Sequence, residues 1–281
     1  MYARKLDIGT LLKTRSYFLF GPRATGKTSL IKANLPEALI FDLLDDDVYE
    51  EFQRRPKALA EKIKDLQQPV VIDEIQKLPK LLDEVHRQIE ERKIRFLLTG
   101  SSARKLKREG ANMLGGRARE RELFPLIYSE ISDFELLKYL NYGGLPLIYL
   151  SDEPYEDLQA YVRIYLSEEI KKEAAVRNYD RFVRFLETMA LSNGQEINYQ
   201  QLSSDSGVPA RTIEGHIEVL KDTLIGFELF PYQKTLKRKA TTKSKFYFFD
   251  TGVANFLSQK LPLAENSSDL GVSFEQFLIQ E

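Results

Sequence analysis

Residues 21–29 read Gly-Pro-Arg-Ala-Thr-Gly-Lys-Thr-Ser, and this stretch constrains the chain more than any other. Its spacing is G-x-x-x-x-G-K-[ST]. The apolar run Ser16–Phe20 before it predicts a short buried strand, and residues 29–32 open a helix. A glycine-rich turn between strand and helix aims several backbone N–H groups at one point, where the helix N-terminus adds partial positive charge. Phosphate oxygens fit such a nest. Gly21, Pro22, Arg23, Ala24, Thr25, Gly26, Lys27, Thr28 and Ser29 are therefore the candidate nucleotide-binding residues. Lys27 would reach the β- and γ-phosphates, and the Thr28 hydroxyl would ligate Mg²⁺. The competing reading is a chance match in a loop, but the strand–loop–helix setting is the one the motif demands.

Such a loop needs an acidic partner to hold the metal and activate water. Residues 69–76 (Pro-Val-Val-Ile-Asp-Glu-Ile-Gln) supply one. The β-branched run suits the centre of a parallel sheet. Asp73 then falls at the strand's carboxyl end, where open α/β sheets bind ligands, and is the second candidate metal ligand. Glu74 is the candidate general base. Residues 95–99 predict another strand, running into Gly100-Ser101-Ser102; Thr99 and Ser101 are candidates to sense a γ-phosphate, with a helix N-cap as the alternative. Residues 39–43 predict a further strand, and the acids 45–47 beyond it begin and cap a helix rather than bind metal. Residues 114–121 (Leu-Gly-Gly-Arg-Ala-Arg-Glu-Arg) read as a basic loop. Arg117 on it is the first candidate to meet charge on a transferring phosphoryl group, in cis or from a neighbouring subunit, ahead of Arg119 and Arg121; an idle solvated loop is the alternative.

Composition narrows the classes. The 281 residues are 43% hydrophobic and 30% charged, with net charge −1, the profile of a globular chain long enough for two domains or more. Near-neutral charge means that any nucleic-acid contact must come from a local patch. Cysteine is absent, which excludes disulfides and thiolate metal sites, and His86 and His216 are the sole histidines. Residues 1–10 mix charges with apolar residues and lack the apolar core of a signal peptide. No segment approaches the roughly 20 apolar residues that span a bilayer.

Together the motifs resemble the AAA+ branch of P-loop ATPases. More narrowly, the chain is similar to archaeal and bacterial ATPases that carry an AAA module followed by a DUF4143-type C-terminal region. The matching pieces are residues 21–29, 71–76, 98–102 (Leu-Thr-Gly-Ser-Ser), Gly116-Arg117 before Leu-Phe-Pro-Leu at 123–126, Gly-Gly-Leu-Pro at 143–146, and Lys-Phe-Tyr-Phe-Phe-Asp-Thr-Gly at 245–252. The resemblance implies a cytoplasmic protein that binds ATP or ADP with Mg²⁺, an ATPase with a helical lid and a winged helix. A guanine-reading Asn-Lys-x-Asp is missing, as is an evident switch asparagine near the phosphate loop.

The expected fold is thus α/β. A parallel-sheet AAA+ core spans 1–125, a helical lid or connector 126–180, a winged helix-turn-helix 181–262, and a linker with the start of a truncated C-terminal region 263–281. Helices are expected over 127–140 and 154–178. Residues 181–250 read as helix, short helix, turn, helix and a two-stranded wing over 225–230 and 246–249. At the wing tip Lys234, Lys237, Arg238, Lys239 and Lys243 stand with no acid among them, and with Arg211 they are the candidate contacts to double-stranded DNA. The would-be recognition helix also carries Glu214, Glu218 and Asp222, which oppose a major groove unless they read cytosine, so docking of a protein partner stays open. The final apolar helix, 272–279, is expected to end before it has anything to pack on. Three functions follow: an ATPase with a nucleic-acid or protein partner, acting as a homo-oligomer if Arg117 works in trans; a nucleotide-gated switch with little turnover; or a DNA-binding regulator with a vestigial ATPase module, which the intact Lys27, Thr28, Asp73 and Glu74 argue against.

Overall fold

Short β-branched and aromatic runs pair side by side to build the first part of the chain. The computed structural model describes residues 3–64, 66, 68–108, 114–166, 179–232 and 243–281. Contacts divide it into two compact units, Arg4–Phe124 and Pro125–Glu281.

The first unit is a five-stranded sheet. Its strands are β1 (Ser16–Phe20), β2 (Leu39–Asp42), β3 (Val70–Asp73), β4 (Phe96–Gly100) and β5 (Ala118–Glu122), in the spatial order β2-β3-β4-β1-β5. Every neighbouring pair is parallel, so each connection must cross back over the sheet. Helices α1 (Ile8–Leu12), α2 (Lys27–Asn34), α3 (Asp46–Arg54), α4 (Ala58–Lys62), α5 (Leu81–Arg92) and α6 (Arg104–Arg108) occupy the intervening chain. Tyr17, Leu19, Val71 and Leu97 share one face with Ile8, Leu12, Leu30 and Ile31 of α1 and α2. Phe18, Phe20, Ile72 and Leu98 are buried on the other. Burial on both faces explains why β1, β3 and β4 read as unbroken apolar runs. Asp45 caps α3, its carboxylate accepting the N–H groups of Asp47 at 2.9 Å and Val48 at 3.3 Å, as its sequence position suggests.

One strand breaks the pattern. The basic stretch 114–121 reads as a loop, yet its second half belongs to β5, paired with β1 from Ser16↔Ala118 to Phe20↔Glu122. Its Arg-Glu-Arg-Glu side chains are exposed. Charged side chains are what an edge strand carries to discourage further pairing, and they hide it from an apolar pattern.

The second unit begins differently from expectation. In place of a helix over 127–140 there is a 3₁₀ turn at Tyr128–Glu130 and then α7 (Leu136–Tyr142). Ile131 and Glu135 are extended, and the Glu135 N–H donates to the Tyr149 hydroxyl at 2.7 Å instead of to a helical carbonyl. Next come α8 (Pro146–Tyr149) and α9 (Pro154–Ala160), which runs into a π-helical turn at Tyr161–Leu166. The rest of the long helix expected to 178 lies outside the described residues.

Further along are α10 (Tyr179–Leu191), α11 (Tyr199–Ser206), α12 (Ala210–Asp222), the antiparallel pair β6 (Gly226–Leu229) and β7 (Lys245–Phe248), α13 (Thr251–Leu257) and α14 (Ser268–Gln280). Leu145, Ile148, Leu158 and Tyr161, from the stretch read as a lid, share one core with Phe182, Phe185, Ile213, Ile217, Phe246 and Phe248. Each phenylalanine buried there contributes roughly 1.5–3 kcal/mol of transfer free energy. His216 sits in the same core with its ring against Phe182 and Phe185, and burial lowers its pKa.

The final helix does find a partner, which corrects the expectation of an unpacked end. Phe277 of α14 lies 5.3 Å from the Tyr139 ring and 5.7 Å from Phe134. The Gln276 amide accepts from Asn193 at 2.7 Å and donates to the Phe248 carbonyl at 2.7 Å. Glu275 takes hydrogen bonds from Lys245 at 2.7 Å and Tyr247 at 2.5 Å. Burial, reinforced by the Glu275 contact, pushes the Tyr247 hydroxyl up to about 12.

Asp250 ties two of the sequence motifs together. It is buried, caps α13 through the Val253 N–H at 3.0 Å, and accepts the Gly144 N–H at 2.8 Å. The Gly252 and Leu145 amides also face it. Gly143 has φ +79°, and a Cβ there would collide with the Asp250 carboxylate. Thr251 and Asn255 donate to the carbonyls of Tyr139 and Leu140, both at 2.9 Å, satisfying the open end of α7.

Burial outweighs these donors and pushes Asp250 from an ordinary 3.8 up to about 6. Between those values the native state holds the proton and the unfolded chain has released it, so stability falls as pH rises, by ~3 kcal/mol in all. Denaturant melts from pH 4 to 7.5 should show this slope in the wild type and its loss in Asp250→Asn. Asp250→Ala strands buried N–H groups and should cost ~2–4 kcal/mol at low pH.

Candidate functional site

The site is built at the carboxyl ends of β1, β3 and β4. After β1 the chain turns through Ala24 at φ +62° and Gly26 at φ +90° into α2. The N-cap of α2 is Gly26, which has no side chain to cap the helix, and the helix N-terminus opens at the loop. The Thr25 hydroxyl donates to the Pro22 carbonyl at 2.9 Å and is buried, pinning the loop from within. Gly21 is dictated by space, because a Cβ there would collide with the Leu123 carbonyl oxygen. Lys27 folds back over the loop, its ammonium 2.6 Å from the Gly21 carbonyl and 3.0 Å from that of Pro22. Thr28 and Ser29 are exposed. The arrangement fits a nucleotide phosphate: a lysine held by neutral carbonyls, an uncapped helix start, and glycine where the backbone is crowded.

Asp73 ends β3 beside β4. Its Oδ1 accepts both the Thr99 hydroxyl and the Glu74 N–H. Thr99 is fully buried and its hydroxyl orients the acid; just before the helix at 104–108 the Ser102 hydroxyl accepts the Arg104 N–H at 3.4 Å. Glu74 follows in the left-handed region at φ +59°, a conformation unfavourable for a side chain longer than Asn or Asp. That turn aims Glu74 and Asp73 differently. The buried Gln76 amide donates to Glu74 Oε2 and reaches the Ser101 hydroxyl at 3.4 Å. Asp42, beside Asp73 in the β2–β3 register, accepts the Leu44 N–H at 2.8 Å and serves the turn. Among the described residues no group of three or more His, Asp and Glu is placed to hold a metal unaided.

Arg117 is not brought to this site. It precedes β5, and β5 runs parallel to β1, so Arg117 lies at the opposite edge of the sheet from residues 21–29. Five residues of strand separate the two edges, ~17 Å at the usual rise. Its guanidinium pairs with Glu90 near the end of α5 and lowers that carboxyl's pKa. Arg119 and Arg121 belong to the exposed edge strand, Arg121 lying 5.6 Å over the Tyr17 ring.

In the second unit Arg211 and Lys243 are exposed, while Lys234, Lys237, Arg238 and Lys239 lie outside the described residues. Two residues went unnoticed in the sequence. Gln76 stands inside the acidic motif, and its position two residues after Glu74 was the available signal. Arg4 donates to the Thr25 carbonyl at 2.9 Å and to the Phe124 carbonyl at 2.6 Å, bracing the phosphate loop from a stretch without any motif.

Residues 13–132 match the family model of an AAA domain. With the parallel sheet, this match supports a P-loop NTPase-like fold for the first unit. Residues 133–264 match a domain of unknown function, DUF8612, in place of the DUF4143-type region that the resemblance implied. Similar proteins include an uncharacterized protein of Mycobacterium tuberculosis, 27% identical over 276 residues, which cover 94% of this chain and 61% of the relative. An uncharacterized protein of Methanocaldococcus jannaschii is 24% identical over 282 residues, 88% of this chain and 63% of its own. The chain thus spans about three-fifths of the length of these relatives. No helix among the described residues is long and apolar enough to cross a membrane.

Gly21→Ala places a methyl group against a backbone carbonyl that cannot swing aside. It should cost ~1–3 kcal/mol of stability and abolish ATP binding, read by thermal melts and titration with a fluorescent ATP analogue.

Proposed function

We propose that this chain is a Mg²⁺-dependent AAA+ ATPase that hydrolyses ATP to ADP and phosphate and couples turnover to a nucleic-acid or protein partner through its second unit. The observation that carries this reading is the convergence of Lys27, Asp73, Glu74 and Thr99 at the carboxyl ends of three adjacent parallel strands. Bound ATP and Mg²⁺ would supply the reactive phosphoryl group and neutralise part of its charge. The remaining work belongs to the chain. Lys27 exchanges its loop carbonyls for phosphate oxygens. Thr28 and Asp73 hold the ion, with Thr99 fixing the Asp73 carboxylate. Glu74 accepts the proton of the attacking water at its carboxylate, and Ser101 senses the terminal phosphate.

Arg117 is proposed to act in trans on a neighbouring copy; its place before β5, at the opposite end of that strand from residues 21–29, supports this over a role in cis, and an idle basic loop is the competing reading. A chain that must borrow its arginine hydrolyses slowly alone, and this favours a second reading in which bound nucleotide acts as a switch. In the second unit, α10–α11–α12 followed by β6 and β7, with a bridge between Glu196 and Lys245, supports a winged helix-turn-helix. The exposed side of α12 mixes Arg211 and Thr212 with Glu214 and Glu218, and Lys221 is engaged by Glu218 and Glu228, both at 2.9 Å. Base reading by that helix is therefore disfavoured. Double-stranded DNA would be held through the basic stretch 234–243, with little sequence preference, and a protein partner is the competing occupant.

The deciding assay is ATP hydrolysis across protein concentrations, with and without duplex DNA. Lys27→Ala should lose ATP binding. Glu74→Gln should bind ATP yet turn over ~10²–10⁴-fold more slowly. Specific activity should rise with concentration in the wild type and not in Arg117→Ala. A wild type that binds ATP but stays inactive throughout would falsify the enzyme reading and leave the switch.

A further inference from the structure

The amide of Gln76 lies where an acid-base site is sensitive. Gln76 is 5% exposed, and its Nε2 donates to Glu74 Oε2 and lies 3.4 Å from Ser101 Oγ. Its Oε1 is buried without a hydrogen-bond partner. Turning the amide over would set that oxygen against the Glu74 carboxylate, a repulsion between two acceptors, so the orientation is fixed by Glu74. A buried acceptor left unmatched is unfavourable, and the contact with Glu74 offsets it. Space for the group comes from Gly100, where a Cβ would overlap Gln76 Oε1. β4 thus gives up a side chain at the one position that makes room for the amide.

Resting on the reading of Glu74 as the general base, we infer that Gln76 is a positioning residue for it, and that it links the base on the β3 side to the Ser101 hydroxyl on the β4 side. A primary carboxamide has no proton to surrender at neutral pH. It therefore fixes the direction of the Glu74 carboxylate and leaves it able to accept a proton from water. Asp73 is held by different donors, Thr99 and the Glu74 N–H. Metal binding and proton transfer are in this way supported by separate hydrogen-bond partners on the same strand pair. Displacement of Ser101 toward a terminal phosphate would be felt at Glu74 through one shared amide.

The experiment uses Gln76→Met, which keeps the volume and removes the donor, and Gly100→Ala, which displaces the amide while Gln76 remains. In both, kcat should fall ~10–100-fold, the penalty of misplacing a catalytic group by about an ångström. KM for ATP and affinity for a fluorescent ATP analogue should stay within ~3-fold, because the phosphate loop is untouched. Combining Gln76→Met with Glu74→Ala should give turnover no lower than Glu74→Ala alone. In the nucleotide-free protein, the loss of melting temperature in that double variant should be smaller than the sum of the two single losses, a readout independent of activity. Additive losses in both measurements, or an unchanged kcat in Gln76→Met, overturn the inference. Wild-type turnover in Glu74→Gln instead overturns the general-base reading beneath it. If Gln76→Met does not fold, Gly100→Ala decides alone: unchanged kcat refutes the role, and a fall in kcat at constant KM supports it.

Discussion

The structure depends on β4 being inserted between β1 and β3. Parallel pairing on both sides of β4 brings two segments that are distant in sequence, the phosphate loop after β1 and the acidic pair after β3, to one edge of one sheet. Without that strand neither Thr99 nor Ser101 would stand between them. The pairing is possible because β1 and β4 are buried along their whole length, where backbone groups can be satisfied only by neighbouring strands. The candidate site residues collect where strand carboxyl ends and a helix N-terminus converge, the end of such a sheet where ligands bind.

The second unit rests on a different device. A carboxylate sealed from water at Asp250 gathers backbone N–H groups from the loop at 143–145 and from the start of α13. Those groups would otherwise be orphaned beside a core of phenylalanines. The cost is a strained ionisation, visible in the raised pKa, and the gain is a fixed junction on which α7, α13 and α14 pack. Polar side chains of α13 satisfying the carbonyls of α7 extend the same economy: buried polar groups are paired with one another rather than excluded.

Much of this was legible beforehand. The strands β1, β2, β3 and β4, the loop with Lys27, and the Asp73–Glu74 pair follow from apolar runs that end in polar punctuation. Helix α3 followed from Asp45 as a cap, and α10, α11 and α12 from their periodicity. β5 did not follow, because its alternating arginines and glutamates carry no apolar signal and its strand state comes from the backbone of β1. The helix expected over 127–140 failed because the Tyr149 hydroxyl takes the Glu135 N–H. The packed state of α14 was invisible because its partners, Phe134, Tyr139 and Asn193, lie far away along the chain.

The sequence by itself determined the phosphate loop, the acidic pair and the α/β character, because glycine conformations, helix starts and apolar periodicity are local properties. Tertiary structure alone decided that Arg117 faces Glu90 at the far edge of the sheet, that Gln76 reaches both Glu74 and Ser101, and that Gly143 leaves room for Asp250. Each of these is a distance between residues on different strands or helices. Such distances are set by strand order and by the packing that follows from it, which no local pattern encodes.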